Sequence, residues 1–348
     1  MGNRGSPSPL VLGTGRILAM AVTLPRLDRR RALQSAAAGL VALGLLLWWL
    51  LPLGGGPSPS GRVTFATGVS TGVYATYGRM LQRDLARDLP DVEVRLEQTR
   101  GSPDNVERLA RGKATFAIAA TDAVAAYRGQ GAGRLRACAR LYDDYMQLVV
   151  PRGSSVRSAR DLKHLRVGVG DDGSGVQLIT RALIKAAGLD FDRDIRAERV
   201  GIDTMPTMLR RGQLDAFFWS GGLPTTAVRT LARAYPIRLV QLGDLTGPLH
   251  RQGGVTRYYR AATVPADAYE EIRKPEPVKT IAVPNLLVTT DRVDPDLAEG
   301  VTRTVIENRD RIGAKVHAAQ KVDLRTAVFT DPLALHQGAA RYYRSVKP

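Results

Sequence analysis

Hydrophobic and polar positions follow one another in short blocks along most of this chain, each block ended by glycine, serine or proline. Residues 62–67 (RVTFAT) read as a strand that stops at Gly68-Val69-Ser70-Thr71-Gly72. Tyr77, Met80, Leu81 and Leu85 then recur at helical spacing and predict a helix over 74–88. Val92, Val94 and Leu96 alternate with charged neighbours, which is the period of a strand. A helix at 105–111 and an apolar strand at 114–120 complete a strand-helix-strand-helix-strand order, the signature of a parallel sheet. The pattern then restarts. Apolar strands at 146–150 and 165–169 lead into a helix at 176–187 closed by Gly188. A helix at 205–211, a strand at 216–219 and a helix at 225–234 follow. Residues 278–289 read as one or two strands, Asp294-Pro295 opens a helix to 311, and a last helix covers 334–343. The first unit is short of helices, so the chain is expected to cross back into it after about residue 260, leaving a cleft between two α/β lobes.

The N-terminus breaks this pattern. From Ala32 to Leu53 the chain is free of charge and follows Arg29-Arg30-Arg31. About 20 apolar residues suffice for one helical span, and basic residues ahead of them place the N-terminus in the cytoplasm. A secretory signal peptide has the same order in a shorter form. The expectation is therefore a basic tail at 1–31, a transmembrane anchor or signal segment at 32–53, and a Gly/Ser/Pro linker at 54–60. The rest then lies on the extracytoplasmic face of the membrane, anchored or secreted.

Composition narrows the chemistry. Lys and Arg number 50 against 33 acidic residues, a formal charge of +17. Six Arg against Asp28 alone precede the apolar segment, and the remaining excess is spread as single residues. Basic runs interleaved with aromatics are absent, so no nucleic-acid partner is expected. Cys138 is the single cysteine, which excludes an internal disulfide and a CxxC site. The four histidines have no metal-ligand spacing, and no metal or cofactor is expected.

Three loops share one device, a strand running into a Gly/Ser/Thr-rich turn that opens a helix. Such a turn aims unpaired N–H groups and the positive end of a helix at whatever lies before it, which suits a carboxylate. The loops are Thr67–Tyr74, Thr99–Asn105 and Asp172–Val176. For any one of them the plain alternative is a cap that only starts a helix. The glycines at 170–175 have neither the Gly-Lys-Ser/Thr ending nor the acidic partner of a nucleotide loop, and Asp171 and Asp172 would repel phosphate.

The motifs TGVSTGVY, TRGSPDN, AIAATDA, DLKHLRVGVGDDGSG, RRGQLDAFFWSGGLP and LHQGAARYY occur here in the order in which they occur in the TAXI family of solute-binding subunits of TRAP transporters. The chain resembles that family over about 62–343. The resemblance implies an α/β, two-lobed type II periplasmic-binding-protein-like fold with a ligand cleft between the lobes, preceded by the N-terminal transmembrane or signal helix. Lobe I would hold 61–148 and 262–348, and lobe II 149–261. It implies capture of a small carboxylate-bearing solute, a glutamate- or glutamine-like amino acid or an organic acid, by cleft closure for a TRAP-type membrane permease. A membrane-tethered sensor signalling to a partner membrane protein is the alternative. Carried onto this chain, Tyr74 would pack on or hydrogen-bond the solute, Ser102 and Asn105 would offer hydroxyl and amide, and Thr121 and Asp122 would end a strand at the site. Ser174 and Gly175 would hold a carboxylate from the opposite lobe, with Ser220, Gly221 and Pro224 at the rim. With the turn residues Thr67, Gly68, Gly72, Gly101 and Gly173, these form the expected ligand-binding set. Asp122 serves equally well as a helix cap, and Asp215 as support for the turn before Phe217. Ser174 lacks the G-x-S-x-G elbow and no paired-acid motif occurs, so the protein is not expected to be an enzyme.

Overall fold

The computed structural model describes residues 29–50, 58–272, 276–316 and 322–346. The expected basic tail falls outside these residues up to position 28, as does the linker over 54–57. Residues up to Pro57 form one unit and those from Ser58 a second. In the first, helix α1 (Arg29–Leu50) occupies most of the apolar segment. Among the described residues no helix is long and apolar enough to cross a membrane.

In the second unit ten strands make a continuous sheet in the order β2-β1-β3-β10-β4-β7-β5-β6, with β8 beside β4 and β9 beside β10. The first lobe contains β1 (Gly61–Ala66), β2 (Val92–Glu97) and β3 (Phe116–Ala120), linked through α2 (Val73–Asp88) and α3 (Ser102–Ala110) and followed by α4 (Thr121–Ala126). β1 pairs in parallel with both β2 and β3, as the strand-helix-strand pattern requires. β4 (Leu135–Pro151) then runs on into the second lobe. That lobe contains β5 (Arg166–Gly168), α5 (Gly175–Ala186), β6 (Arg196–Glu198), α6 (Met205–Arg210), β7 (Ala216–Gly221), α7 (Thr226–Ala234), β8 (Ile237–Val240), α8 (Thr246–Gln252) and β9 (Arg260–Val264). β10 (Val278–Thr290) returns to the first lobe, where α9 (Pro295–Glu307), α10 (Arg309–Gly313) and α11 (Gln337–Val346) cover it.

Two strands therefore belong to both lobes. β10 pairs with β9 over Val278–Ala282 and with β3 over Asn285–Val288, while lying antiparallel to β4 over Ala282–Thr290. β4 pairs with β7 and β8 over its C-terminal half. The hydrophobic cores divide accordingly. Val149, Phe217, Phe218 and Leu183 belong to one, and Phe65, Tyr77, Leu287 and Val301 to another. The return crossing comes later than the expected position near 261. Val264, Tyr269, Ile281 and Val283 all pack in the second lobe's core; β9, which carries Val264, pairs with the start of β10, and Tyr269 follows it. The helix expected through 311 breaks at Asn308, whose amide Nδ2 donates to Thr304 O and Asp88 instead of continuing the surface of α9.

Asn105, expected at the solute, does a different job. It is fully buried; its Nδ2 donates to Thr67 O at 2.5 Å and Ile118 O at 2.8 Å, and its Oδ1 accepts the Thr99 hydroxyl at 2.6 Å. One side chain thus ties the ends of β1 and β3 to the start of α3. Asn105→Ala strands two carbonyls and a hydroxyl in the interior, and each loss of this kind costs about 1–3 kcal/mol. A loss of about 3 kcal/mol is expected, measured as a lower denaturation midpoint in urea at unchanged slope.

Candidate functional site

All three Gly/Ser/Thr turns converge on one cleft between the lobes, which encloses ≈ 720 Å³, part of it open to solvent. Gly68–Gly72 follows β1 and opens α2, Arg100-Gly101 follows β2 and opens α3, and Gly170–Ser174 follows β5 and opens α5. Glycine is required in two of these turns. Gly101 has φ 105° and Gly170 φ 86°, and a Cβ on Gly170 would stand 2.7 Å from Ser174 Oγ. Ser174 Oγ accepts the Gln177 N–H at 3.2 Å, fixing the first turn of α5. The starts of α3 and α5 then face each other from opposite lobes. A Cβ on Gly175 would lie only 3.7 Å from Ser102 Oγ.

Side chains close the rim. Arg100 reaches across to donate to Asp172 O at 3.5 Å, the Thr71 hydroxyl donates to Asp203, and Tyr259 Oη donates to Asp122 Oδ2 at 2.9 Å. Asp215 stays away from the cleft. It holds Arg166 through the backbone N–H at 2.8 Å and Nη2 at 2.7 Å.

The floor of the cleft is polar and buried. Tyr74 Oη lies 3.0 Å from Ser102 Oγ, 3.1 Å from Asp144 Oδ2 and within hydrogen-bonding reach of Asn285 Oδ1. Ser102 Oγ also accepts the Ala120 N–H at 3.0 Å, which leaves its own proton for Tyr74. Burial, then the neighbouring Asp144 charge, holds the Tyr74 phenol well above its ordinary range. Burial likewise pushes Asp144 from its ordinary 3.8 to about 7 and Asp122 to about 6. Asp171 is raised by burial and by Asp203.

Of the expected residues, Gly68, Gly72, Tyr74, Gly101, Ser102, Asp122, Ser174, Gly175, Ser220 and Gly221 line this cleft. Thr67, Asn105, Thr121, Gly173 and Pro224 do not. Thr67 is buried with its hydroxyl donating to Glu97 O. Thr121 is buried beneath the floor, and Pro224 lines an adjoining groove with Thr76 and Arg229. The polar residues outside the expected set are Arg100, Asp144 and Asp171 in the lining and Asn285 beside Tyr74. The signal for Asn285 is a polar residue set in an apolar stretch of its strand, whereas Asp144 sits beside Asp143 without such a contrast.

The chain belongs to the NMT1-like family, whose model matches residues 65–346. Among solved structures it is similar to one from work on glutathione import via GshT and the cystine ABC importer TcyBC of Streptococcus mutans, at 12% identity and a TM-score of 0.49, covering 76% of this chain and 98% of that one. A protein of Bordetella bronchiseptica RB50 matches at 16% identity and a TM-score of 0.48, covering 82% and 80%. An ancestral arginine-binding protein bound to arginine matches at 15% and 0.47, covering 74% and 98%.

The raised carboxyls set a pH dependence. Folded Asp144 and Asp122 hold protons that the unfolded chain has released above its ordinary value of 3.8, so their burden on stability is absent below that value and complete above about 7. The ligand-free protein should therefore lose thermal stability between about pH 5 and about pH 8, where exposed carboxylates are ionised in both states. Asp144→Asn should melt higher than the parent at the alkaline end, with the gap closing toward pH 5, as followed by circular dichroism.

Proposed function

We propose that this member of the NMT1-like family is an extracytoplasmic solute-binding protein that closes its two lobes on a small carboxylate-bearing solute. The observation that carries this is the meeting of α3 and α5 across the cleft. Their first backbone N–H groups have no partner inside the helix, and both helix dipoles present their positive ends to the same space. A carboxylate placed there accepts from both lobes at once and so favours the closed arrangement over an open one. Arg100 adds a guanidinium on the same side.

Catalysis is not part of this reading. Ser102 is engaged by Tyr74 and the Ala120 N–H, Ser174 caps α5, and no His, Cys or Lys lines the cleft among the described residues. In the finer form suggested by the six ordered motifs, the protein is a TAXI-type subunit that delivers its solute to a TRAP-type permease. The basic and apolar N-terminal segment would address it to the membrane.

The test is ligand-induced stabilisation. Purified protein, scanned by differential fluorimetry against amino acids, dicarboxylates and oxo acids, should melt higher with one chemical group of these. At a solute concentration of 100 times Kd the gain is about 2.7 kcal/mol. Small-angle scattering should show a smaller radius of gyration with that solute. Arg100→Ala should weaken binding roughly 10- to 100-fold, the loss expected for one charge-assisted hydrogen bond. A panel without a single stabilising carboxylate would overturn the proposal.

A further inference from the structure

Asp144 is the most anomalous group in the cleft. It lies within β4 opposite Val283 of β10, is 5% exposed and lines the cavity. Its Oδ2 receives the Tyr74 hydroxyl, whereas its Oδ1 is fully buried with no hydrogen-bond partner. No Lys, Arg or His pairs with it among the described residues, although the chain carries 50 Lys and Arg. The one ion pair nearby belongs to its neighbour, Asp143, which takes Arg140 at 2.7 Å on the other side of the strand. Asn285 lies close enough to favour ionised Asp144 but leaves its own Nδ2 without an acceptor. Buried carboxylates are normally paired or fully hydrogen-bonded. This one keeps an unused acceptor on a side chain that lines a ligand-sized space.

Asp122 strengthens the same field. It is 2% exposed and also lines the cleft, and its oxygens are taken by Tyr259 and the Ala123 N–H, so it adds negative charge without needing a partner of its own. A ligand carboxylate at this end would meet two buried acids. The end that accepts a carboxylate is the one where α3, α5 and Arg100 converge.

We propose that the solute is a zwitterion of the α-amino-acid class whose protonated amine docks against Asp144 Oδ1, while its carboxylate meets the first turn of α5. This rests on the capture reading above and sharpens it, separating amino acids from oxo acids and dicarboxylates of the same skeleton. Asp144 and Asp122 define the ammonium pole of the cleft, and Tyr74 fixes the direction in which Asp144 presents its free oxygen.

The test uses matched pairs that differ only in the amine, each α-amino acid against its 2-oxo acid, by isothermal titration and thermal shift on the purified chain. The amino acid should bind at least about tenfold more tightly than its oxo acid, the gain of a charge-assisted hydrogen bond to a buried acceptor. Asp144→Asn should lose roughly 10- to 100-fold of amino-acid affinity and lose the discrimination within the pair. Equal binding of the oxo acid, or unchanged amino-acid affinity in Asp144→Asn, would show that Asp144 stays neutral and only braces Tyr74; this overturns the zwitterion inference and leaves capture standing. Stabilisation by neither member of any pair overturns capture and this inference together. Should Asp144→Asn fail to fold, the matched pairs on the unmodified chain decide alone.

Discussion

β4 and β10 pair antiparallel through the middle of the sheet, and both strands run through both lobes. Each lobe completes its own sheet on this pair, β3 adding to β10 on one side and β7 and β8 to β4 on the other. The ladder cannot be regular at its centre, since Pro284 has no N–H to give. The register shifts between Pro284 and Leu286, where Leu141 and Tyr142 of β4 bulge opposite Asn285 alone. Bulges re-aim side chains and loosen local pairing. Here that places Asn285 beside Tyr74 and Asp144 under the cleft. The crossing pair therefore connects the lobes, and its irregularity supplies the polar floor.

A floor of this kind weakens the fold that contains it. Buried Asp144 and Asp122 and the unpartnered Nδ2 of Asn285 each oppose folding, as groups taken from water without full compensation do. The compensation is structural and lies on both sides. Phe65, Tyr77, Leu81 and Val301 pack in the first lobe, and Val149, Leu183, Phe217 and Phe218 in the second. Asn105 spends all its hydrogen bonds on scaffold carbonyls and a threonine, so the turn into α3 is held before any solute arrives. Turns held in this way and an unsatisfied floor suit the proposed capture, since a preformed site adds little further ordering cost on binding.

This division explains what the sequence disclosed. The three turns were legible because glycine and serine at strand ends have a backbone reason to be there, and Gly101 and Gly170 adopt the left-handed φ values that reason predicts. Ten of the expected residues meet in the cleft for the same cause. Asp144 was not legible, because an acid beside Asp143 in a strand has the pattern of a solvent-facing position. Only pairing on both sides shows that it is buried. The same two acids interrupted the apolar run and made a 17-residue strand look like the short one at 146–150. Asn105 misled in the opposite direction. Its place in a Gly/Ser-rich loop is that of a ligand contact, yet the carbonyls it satisfies come from strands 38 and 13 positions away, which local pattern does not reveal.

Charge adds a contrast between scales. The whole chain carries +17, but among the described residues the acids Asp122, Asp144 and Asp171 line the cleft against a single cation, Arg100. At physiological salt the overall field decays over about 8 Å, so it acts on a solute only as it nears the surface, where it favours the approach of a carboxylate. At the buried floor of the cleft screening is weaker and near neighbours dominate. The outer field and the inner acids therefore act on opposite ends of the same molecule. A solute with a single negative group is drawn toward the mouth but is repelled at the floor. One that also carries an amine would satisfy both in the pose proposed above, with its carboxylate between the starts of α3 and α5 and its cation turned inward. On the zwitterion proposal the sites for the two charges lie on different elements, one at the helix starts and the other on the crossing strands.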